Sequence, residues 1–148
     1  MTDQNIPALT AALLALSGSL VAGIHAGVVA RGFDDLRPTH GFVFVRLAPG
    51  GATAAEIGEH MGMTKQAASQ IVDELVAKGY VERHPHPTDA RAKVVVLTER
   101  GWACTRAADA SAEAVVRPWI DALGARRFQA LCADLATIAP RGPIRPGW

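Results

Sequence analysis

The sequence predicts a mainly α-helical fold carrying one small β-hairpin, and three observations predict it. An apolar tract from Ala8 to Ala30 keeps three-and-four spacing through Leu9, Leu13, Leu16, Leu20 and Ile24, the pattern of a helix with a buried face. Two further helical segments, each opened by a threonine, are separated by Met61-Gly62-Met63, a break that glycine favours. Two strand-like segments, Tyr80-Val81-Glu82-Arg83 and Lys93-Val94-Val95-Val96-Leu97, flank a loop with prolines at 85 and 87, which reads as a hairpin with a long tip. At 148 residues, 49% hydrophobic and 20% charged, the chain can bury one substantial core and is not a disordered tail.

Each element follows from local chemistry. The tract 8–30 has no Lys, Arg, Asp or Glu and is long enough to span a bilayer. The segment before it carries Asp3 and no basic residue, whereas a secretory signal begins with positive charge. Ser17, Gly18, Ser19, Gly23 and Gly27 dilute its apolarity, so we read a helix held between protein surfaces and not a membrane span. Gly23 and Gly27 permit close helix approach, and a helix apolar nearly all round needs cover that a partner subunit could supply.

After Gly32 the composition turns mixed and charged. Pro38-Thr39 suits a helix start, and the apolar run His40 to Ala48 closes at the turn Pro49-Gly50-Gly51. Thr53-Ala54-Ala55-Glu56 forms a capping box that opens a short helix to about His60. Thr64 caps a helix from Lys65 to Lys78, stopped by Gly79 in the left-handed position. Thr98 caps a long helical tract that Pro118 interrupts or kinks. Gly124 opens a last helix with apolar Phe128, Leu131, Leu135 and Ile138, ended by Pro140. The tail from 140 onward is proline-rich and reads as irregular.

Two helices joined by a glycine turn and followed by a hairpin make a winged helix-turn-helix. On the second helix, Ala67, Ala68, Ile71, Val72, Leu75 and Val76 share the inward face, leaving Lys65, Gln66, Ser69, Gln70 and Asp73 outward. Amides, a hydroxyl and a cation in the N-terminal half of such a helix suit readout of base edges in a major groove. The plain alternative is an ordinary solvated helix face. The hairpin favours the first reading, because Arg91 near its tip could enter a narrow minor groove. Arg83, His84, His86 and Lys93 stand alongside and could touch phosphates. Near-neutral net charge, +1, means that any such binding rests on local placement of charge and not on bulk basicity.

Gly62-Met63-Thr64-Lys65-Gln66-Ala67, Val72-Asp73-Glu74-Leu75, Gly79-Tyr80-Val81-Glu82-Arg83 and the run from Asp89-Ala90-Arg91 through Leu97-Thr98-Glu99-Arg100-Gly101 resemble the MarR-type winged-helix transcriptional regulators. The resemblance implies a winged helix-turn-helix flanked by N- and C-terminal dimerisation helices, with divisions at 1–32, 33–98 and 99–148. It implies a homodimer on a pseudo-palindromic operator in double-stranded DNA. It also implies, for many members, a small-molecule pocket between the dimerisation and DNA-binding parts. By position it assigns DNA contact to Thr64, Lys65, Gln66, Ser69 and Gln70 on the helix and to Asp89 and Arg91 in the wing. Ala90 departs from the family, which often has Arg there, so the wing's phosphate contacts are expected to be weaker.

The expected protein is therefore a cytoplasmic, homodimeric repressor of the MarR type, with a winged-helix protein-interaction module lacking DNA binding as the alternative. Candidate residues for an effector pocket, for a small aromatic or other apolar ligand, are His25, Phe33, His40, Phe44, Arg46 and Trp102. Cys104 and Cys132 are too few for a disulfide scaffold and fit no zinc spacing. We read them as small apolar residues, with an oxidation switch at Cys104, activated by Arg100 or Arg106, as the competing reading. No nucleophile motif, phosphate-binding glycine loop or metal-ligand set is visible, so no enzyme, cofactor or metal is expected.

Overall fold

In the computed structural model, which describes residues 5–142 and Ile144, threonine caps set the frame of the central lobe. Thr53 Oγ1 accepts the Glu56 amide at 3.2 Å and Thr64 Oγ1 accepts the Ala67 amide at 3.1 Å, satisfying donors that a helix start leaves open. They begin α3 (Ala54–Met61) and α4 (Lys65–Ala77). Between them Gly62 adopts φ +69°, a left-handed conformation that a Cβ would strain. Ahead of the pair lie α1 (Asn5–Ala30) and α2 (Pro38–Leu47). Beyond it, β1 (Val81–Pro85) pairs antiparallel with β2 (Lys93–Leu97), with Val81 opposite Leu97 and Pro85 opposite Lys93. The chain then runs through α5 (Glu99–Leu123), capped by Thr98, and α6 (Ala125–Ile138).

The core lies inside the lobe. Val43, Phe44, Leu47, Ile57, Ala68, Val72, Leu75, Tyr80, Val81 and Val95 are buried together, and Cys104 joins them from α5. Gly101 matters here, because a Cβ on it would overlap the carbonyl of Tyr80. Helix α5 can therefore sit directly against the start of β1, where Thr98 Oγ1 donates to the Gly79 carbonyl at 2.6 Å.

Helix α1 leaves the lobe and lies along α5. Added Cβ atoms on Gly23 and Gly27 would overlap Val115 and Ser111, so the close approach expected of this spacing is made within the chain. Arg31 secures it by donating to the Gly27 carbonyl and to Ser111 Oγ, each at 3.0 Å. Val28 is the one buried residue of α1 and Ile24 is partly buried against the core, while the N-terminal half is uncovered, with Leu9, Leu13 and Leu16 exposed. The expected burial between protein surfaces is thus met on one side only.

Several local expectations change. Glu56 does not close its capping box; its carboxylate pairs with Arg46 at 2.9 Å. Strand β1 extends to Pro85, past the expected end at Arg83. Pro118 does not interrupt α5. Val76, expected inward, is 38% exposed. Ala52, in what reads as plain loop, exchanges two backbone hydrogen bonds with Val95, 3.1 and 2.8 Å, adding one residue to the hairpin's edge. Helix α6 buries no residue. Of the irregular tail, residues 143 and 145–148 lie outside the described residues.

Candidate nucleic-acid interface

Helix α4 divides sharply by face. Ala68, Val72 and Leu75 are buried, whereas Lys65, Gln66 and Gln70 are exposed and Ser69 is half-buried. None of these four polar side chains has a hydrogen-bond or ionic partner among the described residues. Thr64, placed with them from sequence, uses its hydroxyl as the helix cap.

The two acids farther along the helix are engaged. Asp73 accepts from Arg83 at 2.6 Å, so Arg83, placed among the phosphate contacts from sequence, ties β1 to α4. Glu74 Oε2 accepts from Arg37 at 2.6 Å and meets His40 Nε2 at 3.2 Å. The Arg37 guanidinium first, and then His40, hold the Glu74 carboxyl below its usual range.

His40 is fully buried. It stands at the third position of α2, where its Nδ1 accepts the backbone N–H of Arg37 at 2.9 Å, the part a Glu or Gln plays in a capping box. With Nδ1 accepting, the neutral ring carries its proton on Nε2 and donates to Glu74. Burial holds its pKa below the ordinary histidine value, against the opposing pull of Glu74.

The wing tip spans 86–92. His86 Nδ1 accepts the backbone N–H groups of Thr88, at 3.2 Å, and Asp89, at 3.0 Å. Asp89 Oδ1 accepts the backbone N–H of Arg91 at 2.9 Å, so this carboxylate shapes the turn and makes no ion pair with the Arg91 guanidinium. Arg91 and Lys93 are exposed, with no side-chain partner among the described residues. His84 Nε2 lies 2.9 Å from Glu82.

The six candidate pocket residues have varied surroundings. Phe33 and Phe44 meet Tyr80, with ring centroids 6.2 and 5.8 Å away. His40 and Arg46 are held by Glu74 and Glu56. Trp102 is 39% exposed on α5 and His25 is half-buried on α1. The focus of this region was missed in sequence. Tyr80 is fully buried, donates to Asp35 Oδ1 at 2.5 Å and accepts from Arg100 at 3.1 Å, whose guanidinium lies 4.5 Å from its ring centroid. Burial, with Asp35, pushes its phenol up to about 12. Its position at the head of an expected strand concealed this role, although it is the one tyrosine in the chain.

Burial likewise pushes the Cys104 thiol up to about 11. It stays protonated at neutral pH, which works against activation by Arg100, and Arg106 is paired with Glu99. Cys132 is exposed on α6. Among the described residues no group of three or more His, Cys, Asp or Glu gathers in a way that could hold a metal.

A capped helix with a bare polar face, a preceding helix across a glycine turn, and a hairpin lifting two unpaired cations beside it define a winged helix-turn-helix. Residues 35–92 match the model of the MarR family. A MarR family transcription regulator of known structure superposes with a TM-score of 0.71 at 27% identity, covering 93% of this chain and 96% of that one. RV1404 from Mycobacterium tuberculosis gives 0.74 at 25% identity, over 89% of this chain and 92% of that one. A mutant MarR from E. coli, solved in complex with operator DNA, gives 0.69 at 21% identity, over 95% and 99%. No curated protein matches the sequence. The chain has a winged-helix fold: its central segment is similar to the MarR family, and nearly its whole length carries the fold of the solved regulators.

Proposed function

We propose that this protein is a homodimeric, sequence-specific DNA-binding transcriptional regulator, a repressor acting on a pseudo-palindromic operator. The observation that carries the reading is the division of polar groups around α4 and the wing. Arg37, Arg46, Arg83 and Arg100 are all engaged by carboxylates. Lys65, Gln66, Gln70, Arg91 and Lys93 are exposed without partners among the described residues. A protein that leaves its groove-facing set unpaired keeps those donors and acceptors for bases and phosphates. A solved protein of the same fold holds operator DNA.

The dimer is the companion proposal. Leu9, Leu13 and Leu16 on α1 and Leu131, Leu135 and Ile138 on α6 are exposed apolar side chains, and a second copy would cover them. Helix α1, at 26 residues, also has the length and apolar composition of a membrane span. Its glycine-lined contact with α5 supports a protein surface as its neighbour. On this reading 1–32 and 99–148 dimerise, 33–98 binds DNA, and two half-sites lie about 34 Å apart. Cytoplasmic location, a non-enzymatic role and release by a small apolar effector near Tyr80 belong to the same proposal.

The test is fluorescence anisotropy on a duplex from the promoter region flanking this protein's own coding sequence, across a salt series. Wild type should bind with steep salt dependence. Arg91→Ala should weaken binding and reduce the salt slope by about 1, and Gln66→Ala should relax base preference by about 1–3 kcal/mol. Salt-insensitive or absent binding, there and to genomic fragments, would overturn the reading. The protein-interaction module suggested by Ala90 and the low net charge would then stand.

A further inference from the structure

We infer that His86 is a positioning residue of the wing, whose neutral imidazole acts as the acceptor that folds the tip and so presents Arg91. Sequence spacing alone places His86 among phosphate contacts. Its geometry assigns Nδ1 elsewhere: that atom takes two backbone N–H groups, Thr88 at 3.2 Å and Asp89 at 3.0 Å. A lone pair is required for this, so Nδ1 carries no proton and the ring proton sits on Nε2. Turning the ring over would bring a carbon to the same place, and carbon cannot accept. The His86 backbone N–H donates to the Ala92 carbonyl at 3.3 Å, so one residue braces the tip at both ends.

The next link is Asp89. Its own amide is held by the imidazole, and its Oδ1 then accepts the Arg91 amide at 2.9 Å. Its carbonyl accepts the Ala92 amide at 3.2 Å, closing the turn just before β2. The order of dependence runs from His86 to Asp89 to the backbone of Arg91. A side-chain acceptor bonded to amides two and three residues ahead is what Asn, Asp or Ser usually supply in turns. Here an imidazole supplies it between Pro85 and Pro87. Neither proline has an N–H, so Thr88 offers the first amide after His86 that a side chain can reach.

The consequence for binding rests on the DNA-binding reading above. The consequence for the shape of the wing does not. The experiment therefore has two arms on the full-length protein. In the first, without DNA, amide hydrogen exchange and imidazole nitrogen shifts are followed by NMR in wild type, His86→Ala and His86→Asn. Wild type should show an unprotonated Nδ1 and protected Thr88 and Asp89 amides. The alanine variant should lose that protection and the asparagine variant should keep most of it. Exposed amides in wild type, or protection unchanged in His86→Ala, would overturn the inference.

In the second arm the same proteins are titrated onto a genomic duplex retained by wild type. His86→Ala should bind about tenfold more weakly, as expected for losing two modest hydrogen bonds, and His86→Asn should recover most of the loss. If alanine and asparagine weaken binding equally while the tip amides stay protected, the ring touches phosphate directly and the positioning role is wrong. If wild type retains no duplex at all, the DNA-binding reading fails by itself and the first arm still decides what His86 does.

Discussion

The lobe from α2 to β2 and the long helices at either end of the chain solve the same problem, covering apolar surface, in opposite ways. In the lobe, Val43, Ile57, Ala68, Val72 and Leu75 reach zero exposure within 33 residues of chain, with Tyr80 closing the same core. In α1 a single residue is buried, and in α6 none. The lobe is folded by contacts it makes with itself and with α5. The terminal helices carry apolar faces that this chain does not cover. Removing large apolar area from water is the main driving force available, so in the proposed dimer the partner covers the terminal helices and not the lobe.

Damage to the lobe gives the largest expected effect. Leu75→Ala removes a fully buried side chain beside Val72 and Tyr80 and should cost about 2–5 kcal/mol in chemical denaturation. A cost under about 0.5 kcal/mol, the range of surface substitutions, would mean that this core does not hold the lobe. On the uncovered side, Leu13 is 44% exposed. In an isolated chain Leu13→Glu would be nearly silent, whereas in the proposed dimer it buries a charge. Sedimentation at low micromolar concentration should fall from twice the mass of the 15.6 kDa chain to the single mass. Wild type already sedimenting as one chain, or a variant that stays double, would erase the contrast between the two regions.

A smaller effect comes from acid. His40 has its pKa lowered in the folded protein by burial, so the folded state disfavours its protonation relative to the unfolded chain. The stability linked to the neutral ring is fully present above the unfolded value of 6.5 and is lost as pH falls through the lower folded value. Thermal unfolding followed downward from neutral pH should show this loss, reduced in His40→Asn, which keeps a side-chain acceptor at the start of α2 without titrating. An equal loss in both proteins would place the acid sensitivity elsewhere.

Much of the fold was legible because its signals are local. Thr53, Thr64 and Thr98 sit one residue before their helices, and Gly62 and Gly79 take the positive φ their places require. The exposed set on α4 followed from helical periodicity alone. What escaped depends on residues far apart in sequence. Asp73 and Arg83 are ten positions apart, Arg37 and Glu74 thirty-seven, and Arg100 and Asp35 sixty-five. The Ala52 bridge has no periodic signal, since one paired residue makes no pattern.

Read alone, the amino-acid order determined which segments are helix or hairpin, where the threonine-capped helices begin, and which face of α4 is polar, because caps, glycine turns and apolar spacing act over a few residues. Tertiary structure alone decided which charges are spent inside the protein and which stay free. It gave Arg83, His86 and Asp89 bonds inside the protein and left Lys65, Arg91 and Lys93 bare. The physical reason is that pairing is a matter of a few ångströms between atoms, and only the packed chain brings carboxylates, amides and cations from separate elements within that distance.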